Sequence, residues 1–193
     1  MDTLATVADL RTLLDEDETG LSDDAGTLLL ELATSAVQAA AGQRILQATE
    51  TVTLMGAGEQ WFQLPQLPVT DVAAVAVDGQ ALVAGTDYKR FGARLWRRCG
   101  WSSCSSEPSE VTVTYTHGYA DWDGELGLAR EATLTIAARM FTNPAGATGL
   151  SIDDFSQQFS QSNNSDVSGL IPDRLRAALR RKYGRRGGLV RVG

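Results

Sequence analysis

Gln63-Leu-Pro-Gln-Leu-Pro-Val-Thr-Asp-Val-Ala-Ala-Val-Ala-Val-Asp-Gly79 is the stretch of this chain that most clearly decides its fold. Val69, Val75 and Val77 lie at odd-numbered positions, and so on one face of an alternating segment, ahead of an Asp-Gly pair, a pattern typical of a strand that enters a hairpin. The two prolines prevent the strand from extending backwards, because proline has no N–H to donate to a β-ladder. The stretch therefore predicts a strand over residues 69–77.

A second stretch, Val111-Thr-Val-Thr-Tyr-Thr-His-Gly-Tyr119, alternates β-branched and aromatic residues and closes with a glycine. Shorter runs between residues 44 and 118 predict further strands, at 51–54, 60–64, 81–83, 88–91 and 94–96. The Ser-rich segment 99–110 is expected to be an exposed loop. Several short strands separated by turn signals indicate an antiparallel β-sheet module.

Apolar residues recur at helical spacing on both sides of this β segment. They predict helices at about 6–19, 22–42 and 127–141, with Thr6 as the first N-cap and Gly42 ending the second helix. A last helix should begin at Pro172 and stop at Gly184. The predicted fold class is α+β: a small bundle of three to four helices, an inserted antiparallel β module over about 44–118, and an extended C-terminal arm. We expect a single domain over residues 1–172 and a basic helix and arm over 173–193.

The composition bounds the class of protein. With 193 residues, 43% of them hydrophobic, the chain can bury one compact core. It has no run of eighteen apolar residues and no basic segment followed by an apolar one at its start, so neither a membrane span nor a signal peptide is expected. We expect assembly in a cytoplasm, where Cys99 and Cys104 would be reduced thiols.

The charge is unevenly distributed along the sequence. Residues 1–173 carry a formal net charge of −15 and residues 174–193 carry +8, which together give the −7 of the chain. A basic tail on an acidic body indicates docking on an acidic surface or contact with nucleic acid. A solvated basic helix with a frayed end is the plainer alternative.

A long polar segment, 143–171, is rich in Ser, Gln, Asn and Gly and separates the third helix from the last. Segments of this length in a compact domain are functional or disordered. Ile152, Phe155 and Phe159 punctuate it and favour an extended arm or hairpin that orders on a partner.

The sequence lacks recognisable catalytic chemistry. His117, the only histidine, stands beside a glycine turn and is interpreted as a corner residue. Asp121, Asp123 and Glu125 loosely resemble a calcium loop, but the distal glutamate is missing at the required spacing. Residues 56–58 lack the Lys-Ser/Thr of a phosphate loop. We expect no enzyme, cofactor or metal, and we interpret the four tryptophans as core or interface anchors.

The order of segments resembles the head-to-tail connector, or adaptor, proteins of long-tailed bacteriophages, especially the versions from phages of actinobacteria. The order, rather than any one motif, carries the resemblance, which covers most of the chain. The matching stretches are Leu4-Ala-Thr-Val-Ala-Asp-Leu10, Ala41-Gly-Gln-Arg44, Leu64-Pro-Gln-Leu-Pro-Val-Thr-Asp-Val72, Val111 to Tyr119 and Ile152-Asp-Asp-Phe-Ser-Gln-Gln-Phe159. The chain differs at residues 122–126, where the family places a proline before the third helix.

This resemblance implies a virion neck protein that forms a ring, usually of twelve copies, beneath the portal of a DNA-filled capsid. The ring would join head to tail and extend the DNA channel, and it would present a platform for the next neck protein (the stopper) or a tail protein. An acidic body suits such a conduit, because negative walls repel phosphate. Genomic DNA would pass through without sequence-specific binding, and no membrane would be involved.

Two groups of residues are assigned to these contacts. The portal-binding group is Arg174, Arg176, Arg180, Arg181, Lys182, Tyr183, Arg185, Arg186, Leu189, Val190, Arg191 and Val192. The group that lines the channel or contacts the next ring is Ile152, Asp153, Asp154, Phe155 and Phe159. The same basic residues support an alternative, a DNA-binding protein that uses the last helix. A metal-dependent hydrolase built on Asp121, Asp123 and Glu125 is the third hypothesis.

Overall fold

The computed structural model describes residues 2–102, 108–143, 149–152, 155–158 and 171–184. The chain forms two compact units: a helical unit from the residues before 43 together with 122–184, and a β unit from residues 43–121. The β unit is thus inserted in the sequence of the helical unit. The structure confirms the predicted α+β fold class, with four helices and antiparallel sheets among the described residues.

The first helix, α1 (Val7–Leu14), is fixed at both ends by its own sequence. The Thr6 side chain accepts from the Asp9 N–H, and the Asp9 carboxylate accepts from the Thr6 N–H, which forms a capping box. The helix ends earlier than the predicted residue 19, because Asp15 takes a left-handed conformation with φ of 55°. The acidic run that follows therefore forms a turn rather than a further turn of helix.

The second helix, α2 (Asp23–Ala41), has two opposite faces. The buried face recurs every three or four residues and consists of Gly26, Leu30, Ala33, Thr34, Ala36, Val37, Ala40 and Ala41. Thr34 is satisfied in this core because its hydroxyl accepts the N–H of Leu4 at 3.1 Å. Gly42 ends the helix in the left-handed conformation, at φ of 79°, as the sequence predicts.

A short 3-10 turn (Gly124–Leu126) leads directly into α3 (Gly127–Thr142). Asp123 caps the turn by accepting the N–H of Glu125 at 2.9 Å, so a carboxylate starts this segment. The buried residues of α3 are Ala129, Ala132, Thr133, Ile136 and Ala137. The last helix, α4 (Asp173–Tyr183), packs against both α2 and α3.

The main sheet of the β unit has the strand order β1-β7-β3-β4, all antiparallel. Its strands are β1 (Ala48–Gly56), β3 (Val69–Val77), β4 (Gln80–Ala81) and β7 (Ser109–His117). The two stretches that the sequence singles out are therefore neighbours, β3 and β7. The alternate residues Val111, Val113, Tyr115 and His117 of β7 are fully buried, because they share the face of the sheet that lies on the core.

The opposite face of β7 carries a ladder of threonine pairs with β1. Thr116, Thr114 and Thr112 lie directly across from Thr49, Thr51 and Thr53, with Oγ1–Oγ1 distances of 2.8, 2.8 and 3.4 Å. Each pair satisfies its own hydroxyls on the exposed side of the sheet. The Thr-Val-Thr-Tyr-Thr alternation thus specifies which side of β7 is buried.

A second, three-stranded sheet has the order β2-β6-β5 (Trp61–Gln63, Arg94–Trp96, Lys89–Phe91). Phe62 and Leu95 point from it into the same core as Tyr88 and Trp101. The prediction of an exposed loop over 99–110 is wrong at Trp101, which is 1% exposed and donates its indole N–H to the Gln60 carbonyl at 3.0 Å.

One glycine explains how this segment reaches the core. A Cβ on Gly56, the last residue of β1, would lie 2.0 Å from the Trp101 carbonyl oxygen. Only glycine allows the two backbones to approach this closely. The Ser-rich composition around Trp101 indicates exposure, and the close approach that buries the indole depends on a residue more than forty positions away.

Part of the long polar segment forms a hairpin of β8 (Gly149–Ile152) and β9 (Phe155–Gln158). The two strands pair in register, so that Ile152 lies opposite Phe155 at the closed end. Asp153, Asp154 and Phe159 lie outside the described residues.

His117 is completely buried at the end of β7, beside Tyr115 and Glu50. Its Nε2 lies 3.2 Å from Glu50 Oε1, which also accepts the Tyr115 hydroxyl at 3.0 Å. Burial lowers the pKa of His117 below its usual 6.5, and the Arg44 guanidinium acts in the same direction, whereas Glu50 opposes both. The imidazole is therefore neutral in the folded chain near pH 7.

This burial predicts a pH dependence of stability. Because the unfolded chain binds the proton more readily, the free energy of unfolding should fall as pH drops below about 6.5. His117→Gln should flatten this dependence between pH 7 and 5.5, since no other histidine exists. Denaturant unfolding followed by tryptophan fluorescence measures it, and an unchanged wild-type midpoint across that range would refute the neutral histidine.

Candidate functional site

The last helix, α4, carries half of the portal-binding residues assigned from the sequence. Pro172 stands immediately before the helix, and the apolar side of the helix is narrow. Leu179 is fully buried and Tyr183 is 2% exposed, and Ile171 just ahead of the helix is also buried. The helix is therefore part of the helical bundle rather than a free appendage.

Tyr183 fastens the end of α4 to the beginning of α3. Its hydroxyl donates to the Glu125 carbonyl at 2.5 Å and accepts the Ala129 N–H at 3.3 Å. The N-cap residue of α3, Leu126, offers no side-chain acceptor, so the tyrosine supplies one from a distant part of the sequence. Burial raises the pKa of Tyr183, which keeps the phenol protonated as a donor.

Arg180 fastens the same part of α4 to the end of α2. Its Nε donates to the Ala40 carbonyl at 3.1 Å, one of the carbonyls left without a partner in the last turn of α2. A cation at this position also interacts favourably with the helix dipole. Lys182 adds an ion pair with Glu125 at 3.3 Å. Three of the assigned residues therefore hold the helix in place.

Arg180 and Lys182 stay exposed despite these contacts, and two further residues of the group add exposed charge to α4. Arg174 and Arg181 are exposed and lie seven positions apart, which places them on one side of the helix. Arg176 is half-buried. The remaining six, Arg185, Arg186, Leu189, Val190, Arg191 and Val192, lie outside the described residues. Of the loop group, Ile152 and Phe155 are brought together by the β8–β9 hairpin.

A further surface lies on the three-stranded sheet of the β unit. The sequence did not predict a site there. Trp61, Trp96 and Lys89 are in register across the three strands, and Phe91 lies two residues on from Lys89. These four side chains line an open cavity of about 280 Å³. The rings of Trp61 and Phe91 meet edge to face at 5.5 Å. Strands of three residues are too short for their alternation to show which side is exposed.

The residues that the structure describes contain no group of three or more His, Cys, Asp or Glu arranged to hold a metal ion. Asp123 and Glu125 instead cap the 3-10 turn and pair with Lys182. No helix among the described residues combines the length and apolar character that a membrane crossing requires.

Comparison with known proteins places the fold. No protein-family model matches the chain, and no curated protein does. Among solved structures, a chain of the neck of an empty gene transfer agent particle, computed with six-fold symmetry, superposes with a TM-score of 0.56 at 19% identity. A chain of the virion of a native gene transfer agent particle gives 0.54 at 16%. Each comparison covers 94% of this chain and 90% of the other. The likeness shows a shared fold.

Tyr183→Phe tests the fastening of α4. Removing the hydroxyl leaves the buried Ala129 N–H and the Glu125 carbonyl without their partner, which should cost about 1–3 kcal/mol of unfolding free energy. The exposed Arg181→Ala serves as the control and should change it by less than about 0.5 kcal/mol. Equal values for the two variants in urea unfolding would contradict the anchoring role of Tyr183.

Proposed function

We propose that this chain is a structural protein of the neck of a phage-like particle and acts without catalysis. One observation carries the proposal: the fold, over 94% of the chain, is that of a chain in the neck of a gene transfer agent particle. The order of helices, inserted β unit and last helix supports the same role. More specifically, we propose an adaptor that joins head to tail in the virion and that is of the kind found in phages of actinobacteria.

Such an adaptor forms a ring beneath the portal, and we propose twelve copies. The gene transfer agent neck that contains the similar chain was computed with six-fold symmetry. A ring of twelve copies is compatible with that symmetry, because twelve is a multiple of six. The acidic residues of the chain would face the DNA, whose phosphates they repel, so that the genome passes without sequence-specific binding. We propose that the ring assembles with the particle in the cytoplasm of the host.

The C-terminal segment is proposed to attach each subunit to the portal. Contacts of Tyr183, Arg180 and Lys182 hold α4, which precedes the segment, on the bundle. Arg174 and Arg181 add exposed positive charge on one side of the same helix. The β8–β9 hairpin, with Ile152 and Phe155 at its closed end, is proposed to line the channel or contact the stopper or tail protein.

DNA binding by the last helix is less well supported. Of the four exposed basic residues on the described part of the helix, Arg180 and Lys182 already contact the Ala40 carbonyl and Glu125, which leaves Arg174 and Arg181 for phosphate contacts. Phosphate-driven binding strengthens with each contact made, so two cations give only weak attraction. The acidic net charge of −7 opposes binding further.

Removal of residues 185–193 tests the attachment. This deletion retains α4 and its buried Leu179 and Tyr183, whereas removal from residue 173 would open the bundle. We expect the shortened chain to unfold like the wild type but to lose most of its binding to portal-bearing heads. Heads incubated with each protein and sedimented give the measure, and the variant Arg98→Glu is the control for an unrelated change of surface charge. Normal docking of the shortened chain would refute the attachment.

The class of protein is tested separately by electron microscopy. Heads mixed with the wild-type chain should show added density coaxial with the portal, and averaging should show rotational symmetry. If the chain is found neither on such heads nor in purified particles, the neck assignment is wrong whatever the C-terminal segment does.

A further inference from the structure

Two exposed surfaces of this chain have complementary chemistry. The first, here called the aromatic face, is the outward side of the β2-β6-β5 sheet. Strand register places its six residues in two rows across the sheet: Trp61, Trp96 and Lys89 in one, Gln63, Arg94 and Phe91 in the other. Trp61 is 49% exposed and Phe91 55%. The face therefore combines uncovered aromatic rings with two cations and carries no carboxylate.

The side chains of the aromatic face are held in place by the rest of the β unit. Phe62 and Leu95 anchor the other side of β2 and β6 in the core. Strand β5 pairs with β6 and follows the buried Tyr88, so the outward rings are held on a rigid support. The Arg94 guanidinium donates to Gln63 Oε1 at 3.0 Å, which orients it along the face. Large rings that stay exposed and are rimmed by charge are typical of interaction sites.

The second surface, here called the α2 stripe, is the outward side of α2. Its residues recur every three or four positions, opposite the buried face: Asp24, Leu28, Glu31, Leu32, Ser35 and Ala39. Leu28 is 57% exposed and Leu32 48%. The stripe combines two uncovered leucines with two carboxylates and contains no cation.

We propose that the aromatic face of one copy binds the α2 stripe of the neighbouring copy. Leu28 and Leu32 would pack on Trp61 and Phe91, while Asp24 and Glu31 would meet Lys89 and Arg94. Complementary charges and matching apolar centres both favour the α2 stripe of another copy as the binding partner of the aromatic face. Two different faces on one chain also make a head-to-tail contact, the kind that closes into a ring. The inference rests on the self-assembly part of the proposed function.

The contact should be weak as a single pair. Two leucines on half-exposed rings bury less than the roughly 800 Å² per partner of a stable isolated complex. Ring closure on a portal would strengthen it, because each further contact becomes intramolecular. The purified chain should therefore associate reversibly only at high concentration.

Charge reversal of each face provides the test. In sedimentation velocity at up to ~1 mM protein, Lys89→Glu/Arg94→Glu and Asp24→Lys/Glu31→Lys should each weaken self-association about ten-fold, because like charges then oppose one another. An equimolar mixture of the two variants should associate like the wild type, since each reversed face now meets its complement. Arg90→Glu/Arg98→Glu, which changes the same charge away from the aromatic face, is the matched control and should have little effect.

Disulfide trapping locates the contact. With Cys99 and Cys104 replaced by serine, a Trp61→Cys chain mixed with a Leu28→Cys chain should form a cross-linked heterodimer under mild oxidation. An Arg90→Cys chain, with its thiol on the other side of β5, should not. A mixture that associates no better than its components, a control reversal that weakens as much as Lys89→Glu/Arg94→Glu, or cross-linking equal to that of Arg90→Cys would each overturn the proposal.

The two proposals fail separately. If the charge swap fails while the chain still forms a ring under portals, this interface is wrong and the neck assignment remains. If the swap succeeds but the chain never docks on heads, the interface remains and the neck assignment is wrong. Cross-linking of residue 61 to a different protein in purified particles would also overturn the self-contact.

Discussion

The inserted β unit depends on one constraint: the chain must return close to the place where it entered. Hydrogen bonds at the base of the unit meet this constraint, since Gln47 N–H donates to the Tyr119 carbonyl at 2.8 Å and Tyr119 N–H donates to the Ile45 carbonyl at 2.9 Å. Gly118 makes this possible, because a Cβ there would lie 2.5 Å from the Leu46 carbonyl oxygen and its φ is +87°. The short His-Gly-Tyr sequence thus closes an insertion of about eighty residues.

Residues near the start and end of the inserted β unit also bind the Leu-Pro-x-Leu-Pro stretch that precedes β3. The Gln43 side-chain amide both donates to the Leu67 carbonyl at 2.9 Å and accepts the Leu67 N–H at 3.0 Å, much as a paired strand would. Gly118 N–H donates to the Pro68 carbonyl at 2.9 Å. The prolines limit the strand, and these contacts satisfy the backbone that the prolines leave outside the ladder.

The sequence predicts those elements whose signal is local. The threonine alternation of β7, the Thr6 cap of α1 and Gly42 at the end of α2 act through neighbouring residues, and the structure has them as expected. It left Trp101 open between core and interface and placed it in a segment predicted to be an exposed loop, because its burial depends on a glycine far away in the chain. The roles of the last helix were equally hidden, since Arg180 and Arg181 are adjacent and chemically identical.

Only the packing of α4 on the bundle distinguishes these two arginines, and the same reasoning applies to the aromatic face. Nothing in Trp61 or Phe91 as residue types shows that they stay exposed, because aromatic residues in strands are usually buried. What decides the matter is their position on the outward side of a sheet whose Phe62 and Leu95 point into the core.

The fastening of Tyr183 also gives the C-terminal segment a fixed origin. Val192 lies eight residues beyond Gly184 along the sequence, so even a fully extended backbone carries it at most about 28 Å from there. The portal surface proposed to bind Val192 must therefore lie within that distance of Gly184. The number of residues between them sets the largest gap that the proposed attachment can span.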